Sequence, residues 1–143
     1  QKLCALSPQT QVRICPGNPF NDLHDENPRQ THQALLQAVN AMGLGYVHVI
    51  RSPDKNLDAF TLVKQNFSGV IITNDGYTAE MAQHDVQAGI SDAVSFGRDF
   101  IANPDLPERI KQGQALAAFA MQGLYSAGAQ GYSDYPDRFG KIG

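Results

Sequence analysis

A single unit repeats along the sequence: a short apolar run, a polar turn and an amphipathic segment. The apolar runs cover residues 12–15, 46–50, 69–73 and 93–96. They are continuous rather than alternating, which is typical of parallel strands that are buried on both faces. Four strand–helix units in succession therefore predict an α/β fold built on a parallel sheet.

Segments with helical periodicity follow the runs. Helices are predicted between Pro28 and Gly43, over 57–65, between Thr78 and Gly89, and in two short stretches after Gly97, of which the second carries Ile110. An aromatic, glycine-rich tail closes the chain. A doubly wound nucleotide-binding sheet would have the same rhythm, but no run ends in the pattern G-x-G-x-x-G that marks dinucleotide sites.

Composition limits the class of protein. The chain has 143 residues, of which 42% are hydrophobic and 17% charged, a mixture typical of a folded domain. The net charge of −3 gives no electrostatic reason to expect nucleic acid or an anionic membrane as a partner. No apolar run approaches the roughly 20 residues that cross a bilayer. With only two cysteines, Cys4 and Cys15, a disulfide scaffold is not expected and a reducing cytoplasm is favoured. Both cysteines are predicted to be ordinary small buried residues with no metal or nucleophile pattern nearby. Since the chain begins at Gln1 rather than at methionine, we expect it to be part of a longer protein.

The strongest local signal for chemistry is Phe96-Gly97-Arg98, at the end of the fourth run. A glycine lets a ligand approach its backbone N–H closely, a helix start adds donors, and an arginine suits phosphate. The third run ends in a second cluster of turn residues, 74–76. In many (βα)₈ barrels the loops after strands 7 and 8 bind a phosphate group, although a surface Gly-Arg turn would have the same sequence.

Longer motifs resemble those of a known family. They are SFGRDFIANPDLP at 95–107, GYSDYP at 131–136, RICP at 13–16 followed by FND at 20–22, YVH at 46–48 and GYT at 76–78. In this order and at this spacing they resemble the old yellow enzymes, a family of flavin-dependent oxidoreductases.

The resemblance implies that residues 1–143 form one domain, the C-terminal half of an FMN-binding (βα)₈ TIM barrel, with strands 5–8, a C-terminal helix and a tail. It implies a flavoprotein that transfers hydride from NADPH or NADH through FMN to activated alkenes such as enones and nitro compounds. The paired His/Asn or His/His that binds the substrate in this family, and its proton-donating tyrosine, lie in the other half of the barrel. A non-catalytic half-barrel that binds phosphate or a flavin nucleotide without turnover is the alternative.

The resemblance also assigns site residues. Arg13 corresponds to the arginine beside the flavin pyrimidine edge, with a solvated edge-strand arginine as the alternative. Gly97 and Arg98 are expected to bind the FMN phosphate together with backbone groups of Asp75 and Gly76. Asp75 departs from the family, which usually has a small residue there, and its carboxylate would repel a phosphate unless the side chain points away.

Three further expectations concern the pocket and its surroundings. Tyr125 is expected to form a pocket wall, with packing on the barrel rim as the alternative. His48 lies inside a strand and is predicted to be a hydrogen-bonded barrel residue rather than a base. The sequence 51–53 replaces an acidic-then-basic segment of the family, with no predicted consequence. Four strands alone would leave two open sheet edges, so we expect a partner, either a complementary N-terminal half-barrel or a second copy of the chain.

Overall fold

The computed structural model describes residues 10–125 and 127–142, so Cys4 lies outside the described residues. Its strands are β1 (Val12–Ile14), β2 (Tyr46–Ile50), β3 (Val70–Asn74) and β4 (Ala93–Ser95). Its α-helices are α1 (Pro28–Ala41), α2 (Ala59–Asn66), α3 (Ala79–Gln87), α4 (Arg98–Ala102) and α5 (Leu106–Lys111), and a short 3-10 turn spans Phe20–Asp22. The chain divides into two compact units, of which the first ends at Ser95 and the second begins at Phe96.

The first unit is built on a parallel sheet with the order β1-β2-β3-β4. Each strand therefore pairs with the next one along the chain. Because strand–helix–strand crossovers are right-handed, a strictly sequential order places all the helices on one face of the sheet. A doubly wound sheet reverses its order part-way and so has helices on both faces. The sequential order confirms the predicted α/β fold and has the topology of a barrel segment.

The core lies between the sheet and its helices. The strands contribute Ile14, Val47, Val49, Ile71 and Thr73, α1 contributes Leu36 and Val39, and α2 contributes Phe60, Leu62 and Val63, all of them buried. Removing each large apolar side chain from water contributes about 1.5–3 kcal/mol to folding. This layer is what fixes the strand register.

The opposite face of the sheet, which we call the open face, differs from expectation. The continuous apolar runs predicted burial on both faces, but Tyr46 and Val70 are 38% and 47% exposed, and His48 and Ile72 are only half-buried. Successive strand residues point to opposite faces, and all the helices between the strands lie on one of them. The described residues therefore bury one face of the sheet, and burial of the other face stays a prediction.

The helix boundaries have local causes. α1 begins at Pro28, as predicted, and ends before Gly43, whose φ of +69° is the left-handed conformation expected there. α2 begins at Ala59 rather than at Leu57, because the Asp58 side chain accepts hydrogen bonds from Phe60 N at 3.1 Å and Thr61 N at 3.0 Å. A carboxylate in this position satisfies backbone donors that the helix itself leaves unpaired.

Hydrogen bonds and an ion pair within the second unit hold its segments together. Asn103 is fully buried, donates to the carbonyls of Asp99 and Ala117, and accepts from Ala117 N at 2.8 Å. The Asp105 carboxylate accepts from Arg109 Nε at 2.8 Å and from Arg138 N at 3.0 Å. These bonds tie the glycine-rich tail to the two short helices of this unit.

Candidate functional site

Polar side chains from all four strands meet on the open face. Arg13 is the register partner of His48, and Asn74 that of Ser95. Arg13 Nη2 donates to Asn74 Oδ1 at 3.2 Å, Asn74 Nδ2 donates to Ser95 O at 2.8 Å, and His48 Nε2 lies 2.8 Å from Ser95 Oγ. We call these four residues the open-face network.

The network orients Arg13. Asn74 uses its oxygen for the guanidinium and its nitrogen for the Ser95 carbonyl, so the amide cannot rotate without breaking both bonds. The guanidinium is exposed and lies on the face without helices. A fixed, planar cation on an open surface is well placed to bind a planar, electron-rich ligand edge.

His48 is hydrogen-bonded, as predicted. Burial of the imidazole, and then the positive charge of Arg13, lower the pKa of His48 from its ordinary value of 6.5. The histidine is therefore neutral at pH 7. The Ser95 hydroxyl lies 3.4 Å from Thr73 O, and when it donates there, His48 Nε2 carries the proton and donates to Ser95 Oγ.

At the carboxyl ends of β2 and β3 a tight turn follows Asn74. Asp75 and Gly76 both have positive φ angles, +83° and +70°. Arg51 binds this turn twice, since its backbone N–H donates to Asn74 O at 3.0 Å and its Nε donates to Asp75 O at 3.2 Å. Sequence reasoning assigned no role to Arg51. The available signal was its position directly after β2, one residue past the register pair Ile50–Asn74.

In the second unit, Gly97 stands at the start of α4, and its carbonyl accepts from Phe100 N at 3.0 Å and Ile101 N at 3.1 Å. Gly97 and Arg98 are both exposed. The space that a side-chain carbon on Gly97 would occupy has no atom of the described residues within 4 Å. A ligand can therefore approach this backbone closely, as the phosphate assignment requires. Tyr125, in the same unit, is 91% exposed.

Comparison with known proteins identifies the class. The profile of the NADH:flavin oxidoreductase / NADH oxidase family matches residues 11–117, and the chain belongs to this family. It is 33% identical to a probable flavin mononucleotide-dependent alkene reductase of Leishmania infantum, over 87% of this chain and 35% of that protein. It is 30% identical to 12-oxophytodienoate reductase 2 of Arabidopsis thaliana, over 87% of this chain and 36% of that protein.

Solved structures agree with the sequence match. The old yellow enzyme from Trypanosoma cruzi superposes with a TM-score of 0.89 and 33% identity, over 95% of this chain and 37% of that one. The old yellow enzyme homologue from Zymomonas mobilis gives a TM-score of 0.81 at 27% identity, over 88% of this chain and 38% of that one. The predicted family and TIM-barrel fold are thereby confirmed. The chain spans just over a third of the length of these relatives.

The family sets the chemical context. Its members bind FMN and use NAD(P)H, and one solved relative is morphinone reductase in complex with tetrahydroNAD. Among the helices of the described residues, none has the length and apolar character needed to cross a membrane.

Proposed function

We propose that the chain is the cofactor-anchoring part of an FMN-dependent oxidoreductase that transfers hydride from NAD(P)H to activated alkenes, such as enones and nitro compounds. The observation that carries the proposal is the Arg13 guanidinium, held on the open face by Asn74 at 3.2 Å. Relatives whose names specify alkene and 12-oxophytodienoate reduction support the reaction class.

The residues of the open face fit the flavin ring. Bound FMN would supply the hydride chemistry, accepting hydride from the nicotinamide and passing it to the alkene. Arg13 would stabilise negative charge at the pyrimidine edge of the ring, and a cation fixed there in advance needs no reorganisation during the reaction. His48, being neutral, adds no competing charge beside it.

The phosphate end of the cofactor would use two loops. We assign to it Gly97 and Arg98 from the second unit, and the backbone of Asp75 and Gly76 from the first. The family resemblance supports this assignment, and so does the local geometry of each loop. The backbone at Gly97 is open to close approach, and Asp75 and Gly76 form a tight turn with positive φ angles. Tyr125, exposed in the second unit, would form a wall of the substrate pocket.

A barrel of this type closes with eight parallel strands, whereas the described residues form a sheet of four with β1 and β4 at its edges. We propose that a complementary N-terminal half-barrel pairs with these edges and supplies the substrate-binding pair, with a second copy of the chain as the alternative partner. We place the protein in the reducing cytoplasm on its cysteine usage, because two cysteines in a chain of 143 residues do not make a disulfide scaffold.

The first test is flavin binding by the purified chain. The affinities for FMN and for riboflavin are each measured from the quenching of flavin fluorescence. Arg13→Met should weaken the binding of both flavins by about tenfold or more, because Arg13 is assigned to the ring that they share. This factor corresponds to the loss of one hydrogen bond to a charged group. Arg98→Ala should weaken the binding of FMN and leave that of riboflavin unchanged. Arg29→Met, which removes a charge from α1, is the matched control and should change neither affinity.

Turnover separates the two candidate functions. NADPH-dependent reduction of cyclohexenone by the chain with its partner half supports the enzyme. Flavin binding without turnover in that complex supports the non-catalytic module. If neither flavin binds, or if Arg13→Met leaves both affinities unchanged, the assignment of the open face to the flavin ring is overturned.

A further inference from the structure

Arg51 connects the ends of two neighbouring strands through three kinds of contact. Its backbone extends the β2–β3 pairing by donating to Asn74 O, and its Nε donates to Asp75 O. Its guanidinium carbon also lies 4.7 Å from the ring centre of Phe60 and 5.2 Å from that of Tyr77. We call Arg51, Phe60 and Tyr77 the Arg51 clamp.

The clamp is itself held in place. Phe60 and Tyr77 are buried, and their rings lie 6.1 Å apart at an interplanar angle of 18°. The Tyr77 hydroxyl donates to Asp85 Oδ2 at 2.8 Å, which fixes that ring to α3. A guanidinium flanked by two fixed aromatic rings has little freedom to leave the turn.

The turn needs such a support. A non-glycine residue with a φ of +83° is strained, so the conformation of Asp75 persists only when its surroundings impose it. The Asp75 carbonyl and the Gly76 N–H belong to one planar trans peptide unit and point in opposite directions. By holding the carbonyl, Arg51 therefore also fixes the direction of the Gly76 N–H, which faces away from the guanidinium.

We propose that Arg51 is a positioning residue for the cofactor phosphate: it holds the Asp75–Gly76 turn so that the backbone donor of Gly76 is oriented before the phosphate binds. This inference rests on the proposed function, in which that turn contributes to the phosphate site. It also gives a role to the departure from the family pattern at residue 51. A cation beside a strained turn helps it to accept a phosphate although residue 75 is an aspartate.

The experiment compares FMN with riboflavin on the purified chain, because the two flavins differ only in the phosphate. Arg51→Met should reduce the preference for FMN about tenfold, comparable to the loss of one hydrogen bond to a charged group, and should leave riboflavin affinity unchanged. Arg51→Lys keeps the charge but lacks the planar fork, so it should recover only part of the preference. Arg29→Met is again the control for loss of a charge in the same unit.

A second readout needs no flavin. The amide resonance of Gly76 should move or broaden in Arg51→Met, since the turn then samples other conformations, and it should stay in place in Arg29→Met. If Arg51→Met proves too unstable to purify, Arg51→Gln takes its place. It keeps a neutral donor near the Nε position but loses the guanidinium contacts with Phe60 and Tyr77. It should lose part of the preference for FMN, and an unchanged preference would contradict the role of those contacts.

The outcomes distinguish failure of the role of Arg51 from failure of the proposed phosphate site. If the unmodified chain binds FMN and riboflavin equally, the phosphate site fails, and the role of Arg51 fails with it. If Arg98→Ala abolishes the preference for FMN while Arg51→Met preserves it, the phosphate site stands and only the role of Arg51 is overturned. Full recovery by Arg51→Lys would show that charge alone suffices, which also overturns the positioning role.

Discussion

The two faces of the sheet are made by the same strands and have opposite characters. On the helix-covered face, Ile71 and Thr73 are buried, and α2 packs against their strand. On the open face, the neighbouring residues Ile72 and Asn74 are only half-buried, and Asn74 binds Arg13. Since strand residues alternate between the faces, one strand can supply stability with one set of side chains and a ligand surface with the other.

The largest expected difference between the faces is in stability, and β3 offers a matched pair. Ile71→Ala should lower the free energy of unfolding by about 2–5 kcal/mol, because Ile71 is 1% exposed and its loss leaves a cavity. Ile72→Ala, one residue away on the open face, should cost about 1 kcal/mol or less. Urea unfolding monitored by circular dichroism measures both values.

The same two substitutions can also contradict the difference between the two faces. Equal costs for the two substitutions would mean that the open face is covered in solution. If the cost of Ile72→Ala also rises with protein concentration, the cover is a second copy of the chain, because self-association stabilises the folded state by mass action.

The sequence predicted the elements of the covered face well. β2 spans Tyr46–Ile50 as expected, and α3 is capped by Thr78, whose Oγ accepts from Met81 N at 3.2 Å. These features depend on periodicity and on local side-chain chemistry, which can be read within a few residues. The start of α2 was misplaced by two residues, although Asp58 carried the signal for the true boundary.

The open face was harder to predict. The bond between Arg13 and Asn74 joins residues 61 positions apart, so it depends on strand order and register. The continuous apolar runs also concealed the difference between the faces, because half of each run lies on the side without helices. Arg51 was missed for the same reason, since its partners come from the end of β3, from the turn that follows it and from α2. The assignments of Arg13 and Arg98 rest on family motifs and stay predictions.

A smaller effect is expected in the covering layer, at the start of α2. The Asp58 carboxylate also accepts from Thr61 Oγ1 at 2.7 Å. Burial raises the pKa of Asp58, but hydrogen bonds from Thr61 and Phe60 outweigh it, so the pKa lies below its ordinary value of 3.8. Asp58→Ala should therefore cost about 1 kcal/mol at pH 7, as is usual for the loss of a helix cap.

The pH dependence of this cap has a definite sign. Because the folded pKa is lowered, the charged carboxylate stabilises the fold fully above pH 3.8, and this contribution is lost as the pH falls through the lower folded value. Asp58→Asn keeps a good capping side chain without the charge. The stability difference between the unmodified chain and Asp58→Asn should thus shrink on acidification, and a difference that grows below pH 3.8 contradicts the assignment.

The smallest expected effect tests the open face directly, without a flavin. Arg13 is the second cause, after burial, of the lowered pKa of His48. Arg13→Met should raise the pKa of His48 toward 6.5 but not to it, since burial of the imidazole remains. An NMR titration of the imidazole protons measures this shift, with Arg29→Met as the control that should leave it unchanged. If His48 titrates identically in all three proteins, Arg13 does not lie beside it in solution. The open face would then lack the fixed cation on which flavin binding depends.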